Sequence, residues 1–243
     1  MELSTRDRGA LKSTVIDRLA AIQSAIWACR RCDEDPRVET CLRQQTLVMP
    51  KEAKLLVVAT APPFQPGVQR KRPALSVHSD PRDRLRAFFV RTLGANWHHL
   101  VASGLAVLHA VKCAIVPKSR EEDERQHQNP PPAVVSKCAP PHFAAEFWEL
   151  APPVVITLGT AARLAVRRTL GADAPNRLTL ALKNVGDAEI FEVTSRGLRF
   201  SLVTSSHPFA NAPRAHRDLL RAASLAGLVN DHASPSDWNL LRP

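Results

Sequence analysis

Lys54-Leu55-Leu56-Val57-Val58-Ala59 is a short, continuous apolar run, and Thr60-Ala61-Pro62-Pro63 follows it directly. An unbroken apolar run of this length is typical of a strand that is covered on both faces of a parallel sheet. Proline has no amide hydrogen to donate to a neighbouring strand, so the chain must leave the sheet at the prolines. The stretch therefore predicts a central buried strand with an abrupt exit at its carboxyl end.

Other segments predict the neighbours of this strand. Apolar runs over residues 104–111 and 153–158 predict two more buried strands, and residues 188–206 predict a hairpin around Arg196-Gly197. Apolar spacing and helix-end signals predict helices over residues 8–28, 81–94, 142–150, 161–170 and 214–228. Strands that alternate with helices indicate a sheet with helices on its faces. We predict an α/β fold, a three-layer α/β/α sandwich around a central, mostly parallel, four-stranded sheet.

Length and composition predict one domain with extensions. The chain has 243 residues, of which 44% are hydrophobic, and this is enough to bury one core. We predict a single domain over residues 1–230, in which residues 8–52 form an N-terminal helix and a cysteine clip. Residues 117–137 are charged and then rich in proline, which predicts a solvated insertion. Residues 231–243 are predicted to form a tail.

The five cysteines suggest a metal clip rather than a disulfide framework. Cys29 and Cys32 form a C-x2-C pair, and Cys113 and Cys138 follow far downstream. Four thiolates at one point suit either a tetrahedral zinc ion or a cubane iron–sulfur cluster. The alternative is a set of unrelated buried thiols, since cysteine is often buried. Cys41 is predicted to be a packed thiol or a displaced spare ligand.

The charge of the chain predicts a polyanionic partner. The net charge is +10, from 33 Lys and Arg against 23 Asp and Glu. Nucleic acid is the commonest polyanion, although a basic surface can also serve solubility alone. Tyrosine is absent and aromatic residues are 5%, so contact with duplex phosphates fits better than base stacking on single strands. Basic residues predicted to contact phosphates are Arg70-Lys71-Arg72, Arg163, Arg167-Arg168, Arg214 and Arg217.

The sequence also predicts a compartment. It contains no basic start followed by an apolar run, and no apolar stretch of the roughly 18 residues that would span a bilayer. We expect a cytoplasmic protein without a membrane partner, and a monomer.

The predicted strand ends converge on one edge of the sheet. In open parallel sheets, ligands bind at the carboxyl ends of the strands. Residues 60–63, His109, Gly159 and His207 all fall at such ends. The pattern therefore predicts a binding site at this edge.

Taken in chain order, these segments resemble the iron–sulfur branch of the uracil-DNA glycosylase superfamily, families four and five. The resemblance extends from about Cys29 to the helix after His207, which is most of the chain. The matching motifs are Cys29-x2-Cys32, Ala59-Thr60-Ala61-Pro62-Pro63, Ala110-Val111-Lys112-Cys113, Cys138, Val154-Val155-Ile156-Thr157-Leu158-Gly159 and Ser206-His207-Pro208. The resemblance implies a uracil-DNA glycosylase-like fold, double-stranded DNA as partner, and a [4Fe–4S] cluster on Cys29, Cys32, Cys113 and Cys138, with zinc as the alternative.

Several positions depart from the family pattern. Family four has Gly-Glu-x-Pro-Gly where this chain has Thr60 and Pro63, and family five reads closer to Ala-Pro-Ala there. Ala74 stands at the position of the aromatic residue that stacks on the base in family five. Asp80 is the nearest counterpart of the family-five catalytic acid. His109 aligns with a family-four Asn, and Phe209 stands where Ser usually follows His-Pro.

The resemblance also implies roles in cleaving a glycosidic bond. The base must leave the helix stack, which costs a few kcal/mol, and Phe209 is a candidate wedge or else a core contact. Asp80 would stabilise the sugar cation or orient water, with Asp83 as the fallback unless it only pairs with an arginine. His207 and His109 would stabilise the leaving base. Residues predicted to line the base pocket are Thr60, Ala61, Pro62, Pro63, Ala74 and Gly159.

The departures bear on substrate. Loss of a ring at Ala74 and the change of Asn to His109 predict an enlarged or modified pyrimidine, for example hydroxymethylated or glucosylated cytosine of phage DNA, in a defence role. Uracil excision in base-excision repair is the alternative. Thr60 in place of Glu favours a different class, a non-catalytic DNA-binding or damage-sensing module. A zinc-clipped structural protein is a third hypothesis.

Overall fold

The structure is a computed structural model that describes residues 5–43, 52–62, 83–116, 129–179 and 189–229. Among these residues, no helix is long and apolar enough to cross a bilayer. The elements in chain order are α1 (Thr5–Ala28), β1 (Val38–Arg43), β2 (Leu55–Ala59), α2 (Arg84–Leu93), α3 (Trp97–Ala102), β3 (Leu105–His109), β4 (Cys113–Ile115), α4 (Pro132–Cys138), α5 (Ala144–Leu150), β5 (Val154–Leu158), α6 (Thr160–Leu170), β6 (Ile190–Ser195), β7 (Leu198–Ser205) and α7 (Ala212–Leu225).

The main sheet has the strand order β3-β2-β5-β7-β6. The first four of these strands run parallel, and β6 pairs antiparallel with β7 as a hairpin at one edge. The prediction of an α/β fold with a mostly parallel sheet is confirmed. The sheet has five strands rather than the predicted four, because both arms of the hairpin join it.

Helices cover both faces of this sheet. Residues along β2 alternate between two clusters: Leu56 packs into the cluster that contains Ala162 of α6, and Leu55 packs into the one that contains Phe89 of α2 and Leu219 of α7. Every residue of β2 is at most 1% exposed. Burying one such side chain contributes about 1.5–3 kcal/mol, which is why β2 carries no polar residue.

The ends of α2 follow from its capping residues. Asp83 is the N-cap, and its carboxylate accepts a hydrogen bond of 2.9 Å from the Arg86 amide. Gly94 ends the helix with φ of 64°, a left-handed conformation that glycine adopts without strain. The predicted helix end at Gly94 is confirmed. Asp83, the fallback acid of the sequence analysis, has a capping role.

The predicted insertion over residues 117–137 differs from the structure in its second half. Residues 132–138 form α4, and its Val134 and Val135 are fully buried. The three prolines at 130–132 mark a helix start rather than a loop, because proline is well tolerated in the first helical turn. Cys138 is the last residue of this helix. Residues 117–128 lie outside the described part of the chain.

The segment after the first two cysteines contains a strand that was not predicted from the sequence. Residues 38–43 form β1, which pairs antiparallel with β4 in a separate two-stranded sheet. This short sheet joins the segment after the first two cysteines to the segment that begins at Cys113. The pairing was not readable from the sequence because β1 is a polar strand, Val-Glu-Thr-Cys-Leu-Arg.

A buried ion pair joins Lys112, three residues after β3, to Glu146 of α5. The Lys112 ammonium pairs with the Glu146 carboxylate, and the two side chains are 1% and 0% exposed. The ammonium also lies 5.7 Å from the centre of the Phe143 ring. Two opposite charges with almost no water around them depend on each other, since either one alone would be a buried, unpaired charge.

We expect Glu146→Ala to lower the free energy of unfolding by about 3–5 kcal/mol, because it leaves the Lys112 ammonium without its counter-charge. Urea denaturation followed by circular dichroism measures this loss. Arg199→Ala is the matched control: it breaks an ion pair with Glu192 whose side chains are 77% and 56% exposed. The control should change stability by less than about 1 kcal/mol. Equal losses in both variants would contradict the assignment of Lys112–Glu146 as a stabilising pair.

Candidate functional site

Four residues of the predicted site meet at the carboxyl edge of the sheet, and we call them the strand-end site: Thr60, His109, Gly159 and His207. Thr60 directly follows β2, and Gly159 directly follows β5. His109 is the last residue of β3 and lies in register with Ala59. His207 is two residues beyond β7, which neighbours β5. The parallel sheet thus places residues from four separate chain segments along one edge.

Gly159 brings the middle of the strand-end site together. A Cβ atom at this position would lie 3.4 Å from His207 Cβ and 3.7 Å from Thr60 Cγ2. Its backbone has φ of 90°, which glycine adopts and other residues rarely do. The Gly159 amide also donates a hydrogen bond of 3.0 Å to the Ser205 carbonyl. Glycine therefore permits both the turn from β5 into α6 and the close approach of His207.

The His207 imidazole is oriented by its own loop. The backbone N–H of Phe209 donates to His207 Nδ1 over 3.4 Å. Because Nδ1 accepts a hydrogen bond, the proton of the neutral imidazole is assigned to Nε2. His207 is only 6% exposed, so its ring lies within the protein. A fixed donor in a dry position suits an oxygen that gains negative charge.

Phe209 lies at the outer rim of the strand-end site. Its ring is 39% exposed and meets the His207 ring edge to face, with centroids 5.0 Å apart. The Arg84 guanidinium, at the start of α2, lies 5.1 Å above the same ring. The prediction left Phe209 open as a wedge or a core contact, and its exposure is that of a surface residue.

The remaining predicted pocket residues divide into two groups. Ala61 is half-buried and Pro62 is buried, and both continue the chain from Thr60. Pro63, Ala74 and Asp80 lie outside the described residues. Arg84, the contact of Phe209, follows Asp80 by four positions in the sequence.

The four predicted ligand cysteines line one pocket. Cys29 and Cys32 come from the loop after α1, Cys113 begins β4, and Cys138 ends α4. All four are present as thiols rather than disulfides. The structure thus brings together residues that are up to 109 positions apart in the chain. Across the described part of the chain, however, no three His, Cys, Asp or Glu side chains are drawn together closely enough to ligate one metal ion.

The environment of the pocket fits thiolate ligands. Basic side chains line it alongside the sulfurs, namely Arg31, Lys112 and Lys137. Four thiolates around a zinc ion or a doubly charged cluster leave net negative charge, which the Arg31 and Lys137 cations offset, whereas the Lys112 ammonium is already paired with Glu146. The Lys112 amide donates to Cys138 Sγ over 3.4 Å. Such N–H···S contacts favour the thiolate form of the ligand.

Burial keeps the inner sulfurs protonated. It raises the pKa of the Cys138 thiol to about 11, with the Cys32 and Cys29 sulfurs adding to the rise and the Lys112 amide opposing it. Burial likewise raises the pKa of Cys32, and Lys137 opposes that rise. A metal that binds in this pocket must therefore displace protons.

Backbone hydrogen bonds join the strand-end site to the cysteine pocket. Three consecutive amides leave β3: Ala110 donates to the Ala59 carbonyl over 2.9 Å, and Val111 donates to the Thr60 carbonyl over 3.0 Å. The third, Lys112, donates to Cys138. One short segment thus contacts the end of β2 on one side and a pocket cysteine on the other.

A buried ionic group that was not predicted from the sequence lies beside the strand-end site. We call it the Arg214–Asp218 cluster, and its members are Arg163, Ser205, Arg214 and Asp218. Arg214 Nε lies 3.4 Å from Asp218 Oδ2. Burial raises the pKa of Asp218, while the Ser205 hydroxyl and Arg214 oppose the rise. Burial and then Arg214 lower the pKa of Arg163, and Glu189 opposes this.

One signal in the sequence does point to this cluster. Arg214 and Asp218 stand four residues apart on the same face of α7 as the buried Leu219 and Ala222. Charged residues that share the apolar face of a helix are expected to pair inside the protein.

The predicted phosphate contacts are only partly on the surface. Arg167, Arg168 and Arg217 are exposed. Arg163 and Arg214 are 5% and 6% exposed, so they belong to the buried cluster instead of an open basic face. Arg70-Lys71-Arg72 lies outside the described residues.

No protein-family model matches this chain, and no curated protein is significantly similar to it.

We expect the cysteine pocket to bind a thiophilic cation such as Cd²⁺ more tightly as the pH rises from about 6 to 9. The reason is that thiols with raised pKa values hold their protons in this range and release them on binding. Calorimetric titration in two buffers with different ionisation enthalpies measures the protons released. Affinity that does not change with pH, and no proton release, would contradict binding by these thiols.

Proposed function

We propose that this protein is a DNA glycosylase, which extrudes a base from double-stranded DNA and hydrolyses its N-glycosidic bond. The observation that supports this most is the meeting of Thr60, Gly159 and His207 at the carboxyl edge of a parallel sheet, one short segment away from a pocket of four cysteines. The uracil-DNA glycosylase resemblance described above implies this arrangement. The α/β sheet with helices on both faces supports a glycosylase-like fold.

In the proposed mechanism, the two histidines of the strand-end site act on the base, and Asp80 acts on the sugar or the attacking water. His207 donates Nε2–H to the oxygen of the leaving pyrimidine, which becomes negatively charged as the bond breaks. His109, which is 2% exposed, forms the neighbouring wall of the base pocket. Asp80 supplies the carboxylate that stabilises the sugar cation or orients the attacking water.

The rim of the site would open the duplex. Phe209 is an exposed aromatic ring next to His207, as a side chain that enters a base step must be. The Arg84 guanidinium lies above this ring, and its positive charge would attract a phosphate of the bound duplex. Because the Phe209 ring already lies between the His207 imidazole and the Arg84 guanidinium, it would lose little conformational freedom on inserting into DNA.

The proposed substrate is an enlarged or modified pyrimidine, for example hydroxymethylated or glucosylated cytosine of phage DNA, which would make the enzyme part of a defence against phage. Ala74 in place of an aromatic residue and His109 in place of Asn support this choice. Plain uracil is the alternative substrate. A non-catalytic DNA-binding module is the alternative of another class, and Thr60 in place of Glu favours it.

The cysteine pocket is proposed to hold a [4Fe–4S] cluster, with zinc as the alternative. Cys29, Cys32, Cys113 and Cys138 would be its ligands, while Lys112 would orient Cys138 through its amide. When bound, the cluster would cross-link the segment after α1 to β4 and α4. Cys41 is proposed to be a packed thiol or a displaced spare ligand rather than one of these four. The protein is proposed to act as a cytoplasmic monomer.

A panel of duplexes tests the activity, each carrying one base: uracil, hydroxymethylcytosine, glucosylated hydroxymethylcytosine or an unmodified pyrimidine. We expect abasic sites in the duplexes with modified cytosine, scored by alkaline cleavage under single turnover. His207→Ala should slow this cleavage about 100- to 1,000-fold with DNA affinity retained, as removal of one oxyanion donor does.

The exposed His98→Ala is the matched control and should cleave like the wild type. Cleavage of uracil alone would overturn the proposed substrate. Binding of every duplex without any abasic site would favour the non-catalytic module.

Protein purified without oxygen should be brown and contain about four iron atoms per chain, the composition of one [4Fe–4S] cluster. Cys138→Ser should lose most of this colour, and Cys41→Ser should keep it. Visible absorbance and metal analysis by mass spectrometry measure both variants. Colourless protein with one zinc atom per chain would show that the pocket binds zinc instead of a cluster. Equal loss of colour in both variants would contradict the assignment of Cys138 as a ligand.

A further inference from the structure

Helices α2 and α7 pack on the same face of the sheet, and both are strongly basic. The ten residues of α2 and the 14 residues of α7 contain six arginines and one aspartate, a net charge of +5. The whole chain of 243 residues has a net charge of +10. The aspartate, Asp218, is buried and paired with Arg214. Half of the net charge therefore belongs to two short neighbouring helices.

Most of this charge lies on the surface of the two helices. Arg214 is buried, and Arg86 is half-buried with its guanidinium 5.4 Å from the centre of the Trp97 ring. The other four arginines are exposed, and we call the surface that they form the α2–α7 face: Arg84, Arg91, Arg217 and Arg221. Arginines on a helix surface that lack acidic neighbours on the same helix produce a positive potential.

The exposed arginines border the line along which the two helices meet. Thr92 Oγ1 of α2 and His216 Nδ1 of α7 lie 3.1 Å apart, so these two residues mark the contact between the helices. Arg91 and Arg217 are the sequence neighbours of these contact residues. Successive side chains of an α-helix differ in direction by about 100°, so an exposed neighbour of a contact residue flanks that contact on the solvent side. Arg221 follows one turn later on α7.

The α2–α7 face begins at the rim of the strand-end site. Arg84 is the first residue of α2, and its guanidinium lies 5.1 Å above the Phe209 ring, three positions before α7. From this rim, α2 and α3 return the chain from the end of β2 to the start of the parallel strand β3 at the other edge of the sheet. α7 likewise starts after β7 and packs on the sheet through Leu219 and Ala222. The basic surface thus extends from the rim along both helices.

A nucleic-acid duplex fits this surface better than a small anion or a membrane. At 1.5 Å per residue, α7 is about 21 Å long, and one strand of B-DNA places about six phosphates along that distance. The four exposed arginines are spread along the helices instead of converging on one point, as the phosphates of a duplex are. A helix that lies on a membrane inserts its apolar side into the lipid, whereas the apolar side of α7 is buried in the core.

We propose that the α2–α7 face binds the phosphates of the duplex on one side of the target base, over about six base pairs that continue from Phe209 at the rim. The position of the target base rests on the proposed function, whereas the binding of duplex phosphates by this face does not. The proposal also separates the exposed arginines. Arg217 contacts DNA, whereas Arg167 and Arg168 belong to α6, which packs on the opposite face of the sheet and does not contact it.

Two double variants test the proposal. Arg217→Gln with Arg221→Gln removes two charges from the α2–α7 face. Arg167→Gln with Arg168→Gln is the matched control, because it removes two exposed charges from α6 and lowers the net charge equally. Glutamine has nearly the helix propensity of arginine, so both variants should keep the melting temperature of the wild type.

The first readout is the salt dependence of binding to an unmodified duplex, measured by fluorescence anisotropy. Each phosphate contact contributes about 0.9 to the slope of log affinity against log salt concentration. We expect the slope to become shallower by about 1.8 in the α7 variant and to change by less than about 0.5 in the α6 control. Equal changes in both variants, or no change in the α7 variant, would overturn the proposal.

The second readout places the face relative to the target base. Duplexes that contain a tetrahydrofuran abasic-site analogue have one flank or the other shortened to about two base pairs, well below the about six that the face spans. We expect shortening of one flank only to lower the affinity of the wild type, and the same shortening to have little effect on the α7 variant.

Two further outcomes separate this proposal from others. Equal losses on shortening either flank, together with the shallower salt slope, would support the DNA surface but contradict the proposed function, because the protein would bind duplex without reference to one base. Vesicles of phosphatidylcholine and phosphatidylserine test the membrane. Vesicle binding that is lost only in the α7 variant, with duplex binding unchanged, would overturn the proposal and assign the face to anionic lipid.

Discussion

The parallel pairing of β2 with both of its neighbours is the constraint on which the rest of the structure depends. Parallel strands place their carboxyl ends at one edge, so the residues that follow β2, β3 and β5 must emerge side by side. The apolar side chains of β2 are buried on both faces, so this strand lies at the centre of the core. Thr60, Gly159 and the loop after β7 lie close together because each follows a parallel strand that ends at this edge of the sheet.

The segment after β3 couples this edge to the cysteine pocket. Its consecutive amides contact the end of β2 and then Cys138, and Lys112 pairs with Glu146 beneath them. A change in the position of Cys138 therefore acts directly on Lys112, which lies three residues after His109. The two-stranded sheet of β1 and β4 adds a second connection, since β4 begins at Cys113 and β1 follows Cys32 by six positions.

Buried charge has a consistent place in this molecule. Lys112 lies just after β3 and pairs with Glu146 of α5, and Arg214 pairs with Asp218 within α7, the helix that follows β7. In a medium of low dielectric constant, a paired charge has one favourable position, because any displacement separates it from its partner. Each pair therefore fixes the position of its own two side chains inside the protein.

The sequence by itself determined the buried strands β2, β3 and β5, their abrupt ends and the end of α2 at Gly94, because unbroken apolar runs, prolines and a capping glycine act through local backbone geometry. It also indicated which residues stand at strand ends. Only the tertiary structure decided that the sheet has five strands, that Cys29 and Cys138 line one pocket, and that Lys112 pairs with Glu146. These outcomes depend on contacts between residues far apart in the chain, and no local pattern encodes which distant partner a side chain will meet.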